Sequence, residues 1–138
     1  MVAAVKFLDF VERLGLAGHN LNTDQFNAWL SNVAPTNTDT SYPGTATEIA
    51  SGNGYTTGGE DIQNTWAEAG GTGTMSAVDV TWTCVTAPMA TFRYVGLYNL
   101  THGTDAVGPG FYDYTSGVTL QVGETFKLDF VTSLLTMA

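Results

Sequence analysis

The glycine-rich stretch TEIASGNGYTTGG, residues 47–59, has the composition of a loop that binds phosphate. A phosphate loop needs a Lys and a Ser or Thr after its last glycine, and a helix whose N-terminus faces the anion. Here Glu60 and Asp61 follow instead, and two carboxylates would repel a phosphate. The stretch therefore predicts a structural corner, in which glycines adopt positive φ and Tyr55 packs as an anchor between two turns.

The residues that serve nucleophilic or zinc chemistry are few and scattered. Cys84 is the only cysteine, and it alternates with Val80 and Trp82 on one side of a predicted strand, which is typical of a small core residue. His19 and His102 lie in loops far apart in the chain, without neighbours at ligand spacing. We therefore expect no enzymatic activity, no cofactor and no metal site.

Two ligand classes stay open as alternatives. Calcium binds loop carboxylates, and such residues occur at Asp39, Glu60, Asp61, Asp105 and Asp113. Carbohydrate rings stack on exposed indoles, for which Trp29 and Trp66 are the candidates, whereas Trp82 alternates into the core. The competing interpretation is that these carboxylates are solvated and that both tryptophans are core or interface aromatics.

The elements that must position these residues are one helix and a series of strands. Residues 4–16 carry Phe7, Phe10, Val11 and Leu14 at helical spacing, which predicts an N-terminal helix. We expect this helix to cover a sheet; the alternative is that it reaches a neighbouring subunit. Alternating or continuous apolar patterns predict strands within 24–34, 61–69, 76–85, 90–100, 117–122 and 125–130.

Between these elements the sequence predicts turns. Residues 35–47 and 70–75 read as loops. Gly123 and Glu124 predict a tight type II′ hairpin between the last two strands. Within 90–100, which is apolar on both faces and predicts a central strand, Gly96 leaves room for a large neighbour or a bulge.

This pattern predicts a mainly β protein with one N-terminal α-helix. We expect a single domain, 1–138, in which residues 24–138 form an antiparallel β-sandwich or barrel of jelly-roll or immunoglobulin-like type. Thirteen acidic residues against four basic ones give a net charge of −9. The cations are scattered, which argues against nucleic-acid binding. No signal peptide or membrane span is predicted.

Four segments carry a resemblance to a known family. TEIASGNGYTTGG is similar to the motif tEvsgtGYtaGG of small virion proteins from tailed bacteriophages and prophages. HNLNTDQFNAWLSNVAPT, VTWTCVTAPMATFRYVGLYN and GFYDYTSGVTLQVGETFKLDF resemble further motifs of that family, in the same order along nearly the whole chain.

The resemblance implies a structural virion protein, assembled in the cytoplasm of a bacterial host. A capsid decoration, or cement, protein is the first expectation, and a tail, neck or fibre-associated protein is the alternative. A carbohydrate-binding module for host attachment is the third. The expected partners are the major capsid protein and copies of this chain, for example in a trimer.

The contact residues expected for such a protein are aromatic side chains at strand edges or in loops. Five residues meet that description: Trp29, Tyr42, Tyr55, Trp66 and Phe111. Residues 1–6 are a candidate arm that becomes ordered only on the particle.

Overall fold

The computed structural model describes residues 2–103, 106–130 and 133–138. Within them the fold is mainly β, with three antiparallel sheets and one N-terminal helix, in agreement with the predicted β-sandwich. The strands do not close into a barrel. The elements in chain order are β1 Ala4–Lys6, α1 Leu8–Gly15, β2 Phe26–Ser31, β3 Glu60–Asp61, β4 Thr65–Ala69, β5 Thr72–Ser76, β6 Val80–Thr83, β7 Phe92–Asn99, β8 Val107–Val118, β9 Thr125–Leu128 and β10 Leu135–Met137.

The largest sheet has five strands in the order β1-β8-β7-β2-β3. The predicted central strand is confirmed, because β7 pairs with β2 on one side and β8 on the other and is buried along nearly all its length. The order in the three-stranded sheet is β10-β5-β4, and β6 pairs with β9 in a two-stranded sheet. Buried side chains from all three sheets and from α1 form one hydrophobic cluster, so these elements share a core.

The opposite face of the five-stranded sheet is also covered. Trp29 and Tyr98 point away from the main core and pack with Ala46 and Tyr42 from the loop after β2. Residues 35–47 contain no strand, as predicted. This loop covers the Trp29 face of β2 and the main core covers the other, so all six residues of β2 are buried. Gly96 has the predicted large neighbour, because a Cβ built there would lie 2.5 Å from the Trp29 indole.

The helix prediction was wrong at its N-terminal end. Ala4–Lys6 is a strand that pairs with Gly110 to Tyr112 of β8, and the helix begins only at Leu8. The backbone of this segment forms its hydrogen bonds with β8, a strand distant in the sequence. Helical spacing within the segment cannot reveal such a partner. The same pairing makes residues 4–6 of the proposed 1–6 arm the edge strand of the protein's own five-stranded sheet.

Three turn and strand predictions also need correction. Residues 72–76 form β5, so only Gly70 and Gly71 make the turn in the stretch predicted as a loop. Strand β6 begins at Val80, and Val78 is exposed. The final hairpin does not form either, because β9 pairs with β6 instead of with residues 117–122.

The turn at Gly123 also differs from the predicted type II′ turn. The Glu124 N–H donates to the Gln121 carbonyl at 2.9 Å, and Gly123 has a φ of 89°. Gly123 therefore stands at the second central position of the turn, as in type II geometry, and not at the first position that type II′ requires.

Candidate functional site

The glycine-rich stretch folds around the carboxylate of Glu48. Its Oε1 accepts hydrogen bonds from the Tyr55 hydroxyl at 2.5 Å and from the Gly58 N–H at 2.7 Å, and its Oε2 accepts from the Tyr42 hydroxyl. The Tyr55 hydroxyl in turn accepts from the buried Leu30 N–H at 3.1 Å. We call Glu48, Tyr42, Tyr55 and Gly58 the Glu48 corner. It ties the stretch, and Tyr42 in the loop before it, to strand β2.

Aromatic rings cover this corner from the sheet side. Tyr42 stacks on Tyr98 with ring centroids 3.8 Å apart and meets Trp29 edge-on at 5.1 Å. The Tyr98 hydroxyl and the Asn27 amide both donate to the Gly58 carbonyl, each at 2.9 Å. Both backbone polar groups of Gly58, its N–H and its carbonyl, are therefore bonded within the chain.

The tyrosines of the corner are held in the neutral form. Burial raises the pKa of Tyr55 and of Tyr42 well above the ordinary value, and hydrogen bonding to the Glu48 carboxylate raises both further. Burial also raises the pKa of Tyr98. These hydroxyls are donors to a carboxylate, and nothing in the arrangement activates one of them as a base.

The prediction of a structural corner is consistent with the way the glycines pack. A Cβ at Gly59 would lie 1.9 Å from the Ala28 carbonyl oxygen, and its φ is +71°. The Gly58 N–H, the kind of group that a phosphate loop offers to its anion, donates to Glu48 instead. The stretch thus supplies its own anion.

A second side-chain contact joins two of the other segments quoted above for their resemblance to virion proteins. Arg93 on β7 forms a bidentate pair with Asp113 on β8, with Nε–Oδ1 at 2.7 Å and Nη2–Oδ2 at 2.9 Å. Hydrogen bonding to Asp113 raises the pKa of Arg93, and the same bond lowers the pKa of Asp113. Arg93 belongs to the segment ATFRYVGLYN and Asp113 to GFYDYTSG. The ion pair therefore joins side chains that lie 20 residues apart in the sequence.

The structure brings three of the five predicted contact residues together. Trp29, Tyr42 and Tyr55 lie around the Glu48 corner, whereas Trp66 lies on β4 and Phe111 packs against Phe7 with ring centroids 5.3 Å apart. Trp29, Tyr55 and Phe111 are buried in the isolated chain. Tyr42 and Trp66 are half-buried and keep part of their side chains accessible.

Sequence reasoning missed a polar cluster at the start of β2. The buried Asn99 amide nitrogen lies 3.0 Å from His19 Nδ1 and donates to Asp24 Oδ2 at 2.7 Å, and His102 Nε2 approaches the same Asp24 oxygen at 3.3 Å. The cluster forms because β2 pairs with β7 in a register that sets Phe26 opposite Asn99. That register is not written in either strand alone.

The hydrogen bonds of this cluster define the state of His19. Asn99 Oδ1 accepts from the Thr101 N–H, so the Asn99 nitrogen is the donor and His19 Nδ1 must accept. The proton of neutral His19 then sits on Nε2, which is buried without a partner among the described residues. Burial, helped by the charge of His102, lowers the pKa of His19 to about 4.

Other candidate ligands are spread out. Asp39 accepts from the N–H and hydroxyl groups of Thr36 and Thr45, and Asp61 accepts from the Gln63 N–H. Asp105 lies outside the described residues. Within the described ranges, no three His, Cys, Asp or Glu side chains converge as a metal site would require. Cys84 is buried, and its Sγ contacts the Ala87 carbonyl.

Helix α1 and strand β1 expose aliphatic side chains. Val5, Leu8, Val11 and Leu16 are all exposed, Leu16 at 74%, and we call them the N-terminal apolar face. The charges of this segment balance, because Lys6 and Arg13 offset Asp9 and Glu12. None of the helices in the described part of the chain has the length and apolar character to cross a membrane.

Comparison with protein-family models, with curated proteins and with solved structures gave no significant match for this chain.

Proposed function

We propose that this chain is a structural protein of a tailed-phage particle, and specifically a decoration protein that binds the outer surface of the head. The observation that carries the proposal is that polar residues in the segments resembling virion proteins bind one another within the chain. Glu48, Tyr55 and Gly58 bind one another, and Arg93 binds Asp113. Residues engaged in this way serve a rigid scaffold, which is what a building block of a shell requires.

The N-terminal apolar face is the contact surface in this proposal. Its aliphatic side chains supply area to bury, and its balanced charge avoids the desolvation of unpaired carboxylates on docking. The acidic remainder of the chain, with its net charge of −9, steers the protein toward a basic capsid surface. A protein that binds only the assembled shell stabilises that shell by mass action.

Quantitative mass spectrometry of purified particles from the phage or prophage that encodes the chain tests the proposal. A decoration protein is expected in hundreds of copies, in proportion to the major capsid protein. A copy number near that of a tail or neck ring would assign the chain to those parts instead. Absence from intact particles would refute a virion role altogether.

The contact surface has its own test. Purified protein is added to particles that lack it, and a Leu8→Asp/Val11→Asp variant is compared with a Val122→Asp control. Val122 is as exposed as those residues but lies in the turn before β9. We expect binding to be lost in the first variant and kept in the control; equal binding by both would remove this face from the proposal.

A further inference from the structure

A groove opens between the loop after α1 and the end of the three-stranded sheet. It has a volume of about 370 Å³ and is lined by Leu14, Ala17, His19, Asn20, Leu21, Asn22, Trp66 and Met137. Pockets for small ligands run from roughly 300 to 1,000 Å³, so this groove has room for one small molecule. It lies apart from the Glu48 corner and shares no residue with the N-terminal apolar face.

The strand register explains how Trp66 comes to line the groove. Trp66 on β4 pairs with Met75 on β5, and Gly73, two residues away on the same face, pairs with Met137 on β10. A Cβ at Gly73 would lie 2.2 Å from Cζ2 of Trp66. The six-membered ring of the indole therefore lies against the bare backbone of Gly73, and Trp66 lines the groove together with Met137.

The polar side chains of the lining are Asn20, Asn22 and His19. Asn20 Oδ1 accepts from the N–H groups of Asn22 and Thr23, which fixes the side chain and leaves its NH₂ group available as a donor. Both asparagine side chains are exposed at the rim. His19, which also lines the groove, is neutral at pH 7.

We infer that this groove binds a neutral sugar ring. An aromatic face beside aliphatic side chains suits the apolar C–H face of a pyranose, and free amides suit its hydroxyl groups. The lack of lining cations, in a chain with a net charge of −9, disfavours anionic ligands such as phosphates or acidic sugars. This inference holds whether or not the chain is a virion protein.

The test is a titration of the full chain, labelled with nitrogen-15, with glucose, galactose, mannose and N-acetylglucosamine, and with N-acetylneuraminic acid as the anionic probe. At least one neutral sugar should shift the Trp66 indole resonance and the backbone amides of 20–22 at millimolar concentration. The absence of such shifts with all four neutral sugars, or binding of the anionic sugar alone, would overturn the inference.

Two variants separate the groove from general effects. Gly73→Ala keeps the indole but displaces it, and should weaken binding about tenfold through loss of one aromatic contact. Asn22→Ala should weaken binding without touching the packing of Trp66. Val85→Ala, an exposed site outside the lining, is the control. Unchanged affinity in both groove variants would place the sugar elsewhere and contradict the assignment.

Discussion

At the scale of single residues, Tyr55 is the residue that links strand β2 to the Glu48 carboxylate. Its hydroxyl joins a strand N–H to a loop carboxylate, so Tyr55→Phe leaves the buried Leu30 N–H without an acceptor. The Tyr42 hydroxyl also donates to Glu48, but it accepts from no buried strand N–H and its side chain is only half-buried, so water can take its place. The two tyrosines therefore form a matched pair for a test of the corner.

We expect Tyr55→Phe to lower the free energy of unfolding by about 1–3 kcal/mol, the cost of a buried unsatisfied donor. Tyr42→Phe should cost less, about 1 kcal/mol or below. Urea denaturation monitored by tryptophan fluorescence measures both values. If the two variants proved equally stable, the hydroxyl of Tyr55 would not be the link between strand and loop.

Gly96 is a residue whose role the sequence did predict. A glycine inside an apolar strand indicates a close neighbour, and Trp29 fills that place. Gly96→Ala should destabilise the fold by about 1–3 kcal/mol through overpacking. Replacing Trp29 with Phe in the same chain should recover part of the loss. Purely additive effects in this double-mutant cycle would mean that the methyl group and the indole do not meet.

At the scale of elements, patterns within one segment predicted which residues form strands, but they did not predict which strands pair. The apolar character of β7 was sufficient to predict a central strand. The partner of β9 was not predictable, because the alternation in 125–130 is equally compatible with pairing to residues 117–122 and to β6. The same limit hid the His19 cluster, which exists only because β2 and β7 align Asp24, Asn99 and His102.

The β4–β5 hairpin gives an element-scale prediction. Gly70 and Gly71 form its two-residue turn with φ values of 61° and 86°, the left-handed pair that a type I′ turn requires. Asparagine tolerates this conformation and restricts the unfolded chain, so Gly70→Asn should raise the free energy of unfolding by about 0.4–1 kcal/mol. Gly70→Val is the matched opposite and should destabilise. A loss of stability in Gly70→Asn would exclude this turn type.

At the scale of the whole molecule, His19 couples the fold to pH. It sits between Phe10 and Phe26, with ring centroids at 4.8 and 5.8 Å, and its faces are therefore apolar. Asp24, Asp9, Arg13 and His102 are the charged or titratable groups around it, and His102 and Arg13 disfavour its protonation. The folded state thus holds His19 neutral at a pH where the unfolded chain would protonate it.

A folded pKa of about 4 against an unfolded value of 6.5 means that the unfolded state binds the extra proton as the pH falls below 6.5. Stability should therefore fall by about 2 kcal/mol between pH 7.5 and 5. In that window the carboxylates with lowered pKa values, Asp24, Asp79 and Asp113, stay ionised in both states. Urea midpoints across this range should flatten in His19→Gln and keep their slope in Lys127→Gln. An unchanged slope in His19→Gln would assign the pH dependence to another group.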